Sequence, residues 1–124
     1  MPYILVVDAN DNHRALIEQE LSDDGFDVTA VGSASEALSH ITKKQPDLVV
    51  TDIVLPRLNG ICLIQDIMRL NPAIPIIIHS GHASFQEIFM AWAASEFVLK
   101  SGDFSELKGA VNRLLLKPAL NRVY

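Results

Sequence analysis

Four polar side chains of the 124-residue chain each stand at the end of a short apolar run. Asp8 follows YILVV, Asp52 follows DLVVT, Ser80 follows IPIIIH and Lys100 follows EFVL. Two acids, a hydroxyl and an amine are the parts that phosphoryl transfer to a carboxylate requires. One carboxylate, Asp52, serves as nucleophile and becomes an aspartyl phosphate. The other, Asp8, shares a divalent ion with it, and the ion bridges to the phosphoryl oxygens. The lysine supplies a point charge and the serine a hydrogen bond. A lone acid at a strand end is more often a helix cap or a turn residue. The weight therefore rests on all four occurring together at matching positions.

The elements that must carry these residues alternate along the chain. YILVVD is short, apolar and closed by an acid, which suits a strand buried on both faces. Leu16, Ile17 and Leu21 mark a helix that Gly25 ends. DVTAV is a second strand. Ser33 and Glu36 form a capping box ahead of Ala34, Ala37, Leu38 and Ile41, which share one helical face. Pro46 breaks that helix, and DLVVTD is a third strand. Leu63, Ile64, Ile67 and Met68 give a helix stopped near Asn71-Pro72. IPIIIHS is a fourth strand, and Ser84 with Glu87 caps a helix over Phe85 to Ala94. EFVLK is a fifth strand. Asp103 and Glu106 cap a last helix that buries Leu107, Ala110, Val111 and Leu114 and ends at Pro118.

Five strands alternating with five helices predict an α/β fold with a parallel, doubly wound sheet. Ligands of such sheets bind beyond the carboxyl ends of the strands, where the four polar residues stand. One domain over residues 1–117 is expected, with 118–124 a tail or the start of a linker. The length suffices for a real core, and 49% apolar content excludes disorder. A net charge of −5 argues against a nucleic-acid surface. A single cysteine, Cys62, excludes an internal disulfide and fits a reducing compartment; its expected role is apolar packing. No apolar run approaches the roughly 18 residues of a membrane span, and no signal-peptide pattern opens the chain. A cytoplasmic protein is the expectation. His13, His40, His79 and His82 show no zinc spacing with cysteine, and none is read as a ligand. His79 and His82 flank Ser80-Gly81, so one of them is expected to line the pocket.

The pieces ILVVD, PDLVVTDIVLPRLNG, PIIIHSG and EFVLK resemble the receiver domains of two-component response regulators, the chemotaxis receiver among them. The resemblance runs over roughly residues 2–116, and its most specific part is D-x-x-L-P-x-x-x-G at Asp52, Pro56 and Gly60, with Lys100 downstream. It implies a flavodoxin-like sheet of strand order 2-1-3-4-5. It implies Asp52 as phosphoacceptor, Asp8 as an acid-pocket residue and the Val54 backbone carbonyl as a metal ligand. Ser80 becomes the switch hydroxyl, Phe97 the switch aromatic and Lys100 the pocket lysine. The implied cofactor is Mg²⁺. The implied partners are a histidine kinase or phosphotransfer protein upstream and a protein partner or output domain downstream, with the domain itself a monomer or weak homodimer. Such a domain is a phosphoacceptor and not an enzyme, beyond Mg²⁺-dependent autophosphorylation and autodephosphorylation.

The sequence departs from that pattern in three places. Ala9 stands where the family usually has a second acid that ligates Mg²⁺ directly, and a methyl group coordinates nothing. Weak or absent metal binding follows, unless water fills the vacancy or Asp11 reaches back from its expected place as helix N-cap. With Ala9 the cluster of Asp8, Asp52 and Lys100 carries a formal charge of −1, so Lys100 is expected to pair Asp52 with no metal present. Ser101 stands where the family often has proline after a cis bond, so a trans Lys100–Ser101 bond is expected. The segment between Ser80 and Lys100 is shorter than the family's custom, which clips the helix carrying Phe85, Ile88, Phe89 and Trp92. That face reads as core, or in part as a partner patch.

Two functions remain in view: a phosphoaccepting receiver, and a pseudo-receiver of the same fold that binds partners without phosphorylation. An aspartyl hydrolase needs a second acid two residues after Asp52, where Val54 stands. A flavin-binding variant needs a hydroxyl-rich loop after the first strand, which ANDNHR lacks.

Overall fold

The computed structural model describes residues 1–55, 60–81 and 95–116. Its strands are β1 (Tyr3–Val7), β2 (Asp27–Val31), β3 (Leu48–Thr51), β4 (Ile76–Ser80) and β5 (Glu96–Leu99). They form one parallel sheet of order β2-β1-β3-β4-β5, as expected. Four described helices cover it: α1 (Asp11–Asp23), α2 (Ala34–Lys43), α3 (Gly60–Leu70) and α4 (Ser105–Leu116). The expected helix over Phe85 to Ala94, its capping pair Ser84 and Glu87, His82, Pro56 and residues 118–124 lie outside the described residues.

Alternation along the strands divides the core into two layers. Leu5, Val7, Val49, Ile76 and Ile78 face one way, against Ala34, Ala37 and Ile41 of α2 and Leu63, Ile64 and Ile67 of α3. Ile4, Val6, Leu48, Val50, Ile77 and Val98 face the other way, against Ile17 and Leu21 of α1 and Leu107, Ala110 and Val111 of α4. The central strands are therefore buried throughout and apolar except towards their carboxyl ends, where Thr51, His79 and Ser80 stand. Each of these fully buried Val, Leu and Ile side chains contributes about 2 kcal/mol of transfer free energy.

The helix ends are set by local chemistry. Ser33 accepts from the Glu36 N–H and donates to its carboxylate, so Ser33 caps α2 as the expected capping box requires of it. At α1 the N-cap is Asn10, whose side chain accepts from the His13 N–H, and not Asp11. Asp11 is the first helical residue and turns outward to Arg14 instead. The α1 C-terminus closes with Gly25 at φ +95°, its N–H donating to Ser22 O and that of Phe26 to Leu21 O. Asp103 accepts from the Ser105 N–H ahead of α4, with Glu106 in the first turn. Two helical residues expected inside are exposed, Leu16 at 49% and Met68 at 38%. Each adjoins an inward residue, Ile17 and Ile67, and so lies on the rim of its helix's apolar stripe. Cys62 is half-buried on α3.

Candidate functional site

The carboxyl ends of β1, β3 and β5 bring Asp8, Asp52 and Lys100 together. The alternation that builds the core explains why. Asp8 continues the row of Ile4 and Val6, Asp52 that of Leu48 and Val50, and Lys100 that of Val98, all on the α1/α4 side. Backbone bonds extend the ladder past the strands: Asp8 N–H donates to Val31 O, Asp52 N–H to Val7 O and Lys100 N–H to Ser80 O. The three polar residues thus inherit the registry of the sheet.

Lys100 Nζ lies 2.6 Å from Asp52 Oδ2 and 2.9 Å from Asp8 Oδ2. The side chains of Asp8, Asp52 and Lys100 are 3%, 12% and 18% exposed, so the site opens to solvent on the Asp52–Lys100 side. Asp52 Oδ1 accepts from the backbone N–H of Ile53 at 2.6 Å and, at longer range, of Val54. Burial by itself would raise the Asp8 pKa, but donors from Lys100, the Asn10 N–H and His13 outweigh it and hold the carboxyl below its ordinary 3.8. Burial likewise opposes the charge on Lys100, and the two carboxylates outweigh it, raising its pKa above 10.5.

Two histidines complete the inner wall. His13, in the first turn of α1, places Nδ1 3.1 Å from Asp8 Oδ2. A carboxylate oxygen only accepts, so Nδ1 carries the hydrogen. The His13 ring also packs on His79 and Phe104, with centroids 5.4 Å and 6.1 Å away. His79, beneath the site on β4, is buried, and among the described residues its Nδ1 has no hydrogen-bond partner. Burial, reinforced by the charges of His13 and Lys100, lowers its pKa from 6.5 to about 4, so it is neutral at pH 7. His79 meets the expectation that one of the histidines beside Ser80 lines the pocket. His13 was not foreseen there. Its signal lay in the spacing His13, Ile17, Leu21, one stripe of α1 at i, i+4, i+8.

Ser80 is fully buried at the end of β4. It shares the row of Ile78, on the α2/α3 side, and Phe97 packs half-buried on the same layer. The expected switch pair therefore occupies one face of the sheet and the acid pair the other. The Lys100–Ser101 bond is trans.

Among the described residues, Asp8 and Asp52 bring two carboxylates to one place for a cation, and Val54, whose carbonyl was expected as a further donor, is exposed. Ala9 contributes none, and Asp11, 88% exposed and 2.6 Å from Arg14, does not reach back. Among the described residues no cluster of three or more His, Cys, Asp or Glu side chains is arranged to hold a metal. Two carboxylates with waters and phosphate oxygens still make an acceptable Mg²⁺ set. The residues present fit Mg²⁺ in that minimal form, with Lys100 competing for both carboxylates.

A family model for the response regulator receiver domain matches residues 4–112. The chain belongs to that family. It is 30% identical over 114 residues to the transcriptional regulatory protein ZraR of Escherichia coli K12, covering 90% of this chain and 26% of that protein. The chain thus spans about a quarter of the length of such relatives. Among solved structures it resembles the response regulator TrrA of Thermotoga maritima in complex with Mg²⁺–BeF, with TM-score 0.88, 34% identity, and coverage of 93% of this chain and 100% of that one. TrrA in complex with the histidine kinase ThkA matches with TM-score 0.85 and 34% identity, covering 93% of this chain and 99% of that one. Among the described residues, no helix is long and apolar enough to cross a membrane.

Proposed function

We propose that the chain is a phosphoaccepting receiver, with Asp52 taking the phosphoryl group from a phosphohistidine of a histidine kinase or phosphotransfer protein. The observation that supports this reading is the Lys100 ammonium bridging the Asp52 and Asp8 carboxylates at the carboxyl edge of the sheet. Asp52 Oδ1 is held by backbone N–H groups, which leaves Oδ2 as the nucleophile. Oδ2 attacks phosphorus, the P–N bond breaks, and its electron pair stays on the departing imidazole. Lys100 passes from Oδ2 to a phosphoryl oxygen, a short step for a point charge on a flexible stem. Ser80 donates to another oxygen. Asp8, Asp52 and the Val54 carbonyl would hold Mg²⁺, which when bound would supply positive charge against the phosphoryl oxygens. The movement of Ser80 opens space on the α2/α3 side, which Phe97 enters, changing the surface around β5. Phe97 brings no hydroxyl that burial would strand, so its inward position is favoured even before phosphorylation.

The same geometry favours a second reading, a phosphorylation-independent interaction module. With Ala9 in place of an acid, Lys100 satisfies both carboxylates and the metal-free site is complete. In either case the partners are proteins, in the cytoplasm, with the domain a monomer or weak homodimer: the receiver reading takes a kinase or phosphotransfer protein upstream and an output partner or domain downstream, and the interaction module a protein partner alone. Incubation with a small acyl phosphate and Mg²⁺, followed by intact mass, separates the two readings. The receiver reading expects one added phosphoryl group on the wild type and none on Asp52→Asn. No added mass on the wild type, with its fold intact, establishes the interaction module instead, and mass retained on Asp52→Asn overturns the assignment of the acceptor.

A further inference from the structure

Asp8 Oδ2 is saturated with donors from within the protein. Its Oδ2 accepts from Lys100 Nζ at 2.9 Å and from His13 Nδ1 at 3.1 Å, and its Oδ1 accepts from the Asn10 N–H at 2.9 Å. A carboxylate offers about four lone-pair sites, so little is left for a cation. Any ion approaching Oδ2 must displace one of its two donors. Lys100 is the easy one to move: it ends a flexible stem and has Asp52 as a second partner. His13 is not. Its ring is held by α1 below and by His79 and Phe104 at its sides, and it is only 23% exposed. It also stands on the helix that follows Ala9, the position that gives the metal nothing.

We propose that His13 is a positioning residue that sets the metal affinity of this site, by fixing Asp8 through Nδ1 and holding Oδ2 away from a divalent cation. The weak Mg²⁺ site then has two independent causes. Ala9 removes a ligand, and His13 occupies one that remains. This rests on the receiver reading of Asp8 and Asp52 and adds to it a residue outside the phosphoryl-transfer machinery.

The test is calorimetric titration with Mg²⁺ alone, with no phosphodonor present. His13→Phe keeps a ring against His79 and Phe104 but removes the donor. His13→Asn keeps a donor close to the Nδ1 position and removes the ring. The Phe variant is expected to bind Mg²⁺ roughly three- to tenfold more tightly than the wild type, the range that loss of one competing hydrogen bond gives. The Asn variant is expected to stay within about twofold of the wild type on the same reasoning. Unchanged or weaker binding by the Phe variant overturns the proposal, as does equal tightening in both variants, which would assign the effect to the ring. In the wild type, nitrogen NMR of the His13 imidazole gives a reading that needs no variant. Mg²⁺ saturation should weaken the Nδ1–H bond to Asp8, because the ion and the ring then share Oδ2, and an unchanged resonance overturns the proposal. Acceptance of phosphate by Asp52, followed separately by mass, reports on the receiver reading alone. Its loss leaves a measured Mg²⁺ effect standing, and the reverse also holds.

Discussion

Lys100 Nζ donates to Asp52 Oδ2 across 2.6 Å, and the two residues belong to strands that are not adjacent: β4 lies between β3 and β5. The ion pair passes over the end of β4 and ties three strands at one edge. Removing the ammonium leaves two carboxylates facing each other, Asp8 deeply buried and Asp52 partly so. Lys100→Met should therefore destabilise the metal-free protein by about 2 kcal/mol, below the range for a fully buried pair because the site is open on one side. Adding Asp52→Asn should recover part of the loss. Urea unfolding of the two single variants and the double variant checks this. Additive losses would show that the pair contributes no coupling.

Gly60 opens α3 directly against the backbone after Asp52. A Cβ there would stand 2.5 Å from Asp52 O and 2.7 Å from Ile53 Cα. The Gly60 N–H also donates to Ile53 O at 2.7 Å, so neither segment has room to yield. Gly60→Ala should cost about 1–3 kcal/mol as an overpacked contact and displace the Ile53 N–H that holds Asp52 Oδ1. Its unfolding midpoint in urea should fall, and its rate of phosphate uptake should fall with it. Wild-type stability in this variant would contradict the contact.

The acids and the lysine were legible in the sequence because each closes an apolar run, and a parallel sheet sends the ends of such runs to one edge. The switch pair was equally legible by position, yet which face it takes came from counting alternation: Ser80 falls in the row of Ile78, whereas Asp52 falls in that of Val50. The histidines were harder. His79 reads as one more residue of a buried strand, and only its parity with Ile77 sends it under the lysine. His13 sits among polar residues whose local signal is capping. Asn10 and Asp11 both suit an N-cap by type, and the choice between them rotates the helix by a whole residue. With Asn10 as cap, the stripe through Ile17 and Leu21 carries His13 to Asp8 and turns Asp11 out to Arg14.

Ala9 governs the metal more simply. Ala9→Asp should tighten Mg²⁺ binding by roughly tenfold or more, since a third carboxylate approaches the ligand set that the ion prefers. The same change raises the metal-free cluster from a formal −1 to −2, so without Mg²⁺ the variant should be less stable by about 1 kcal/mol. Thermal unfolding with and without Mg²⁺ reads both effects at once: the variant should melt below the wild type in chelator and gain more from the ion. Equal gains in the two proteins would mean that the acid does not reach the metal.

His79 gives the protein a distinct response to acid. Its pKa falls from 6.5 to about 4 on folding, chiefly through burial, with the charges of His13 and Lys100 acting in the same direction and Asp8 and Asp52 opposing. The unfolded chain therefore binds the His79 proton first. Above pH 6.5 both states are neutral there and the residue adds no pH dependence. As pH falls from 6.5 towards 4 the unfolded state gains a proton that the folded state refuses, and stability drops. The gap between the two values corresponds to about 3 kcal/mol once pH is below both. Asp8 acts in a different window. Its carboxyl is held below 3.8, so its contribution is complete above that value and lost only beneath it. Between pH 6.5 and 4, His79→Leu should therefore remove most of the slope that His79 supplies, while Asp8 stays ionised in both proteins. Urea unfolding of wild type and variant at intervals between about pH 7.5 and 4.5 measures the difference directly. The variant should gain on the wild type steadily as pH falls, and a constant difference across that range would show that His79 takes its proton in the folded state as readily as in the unfolded one.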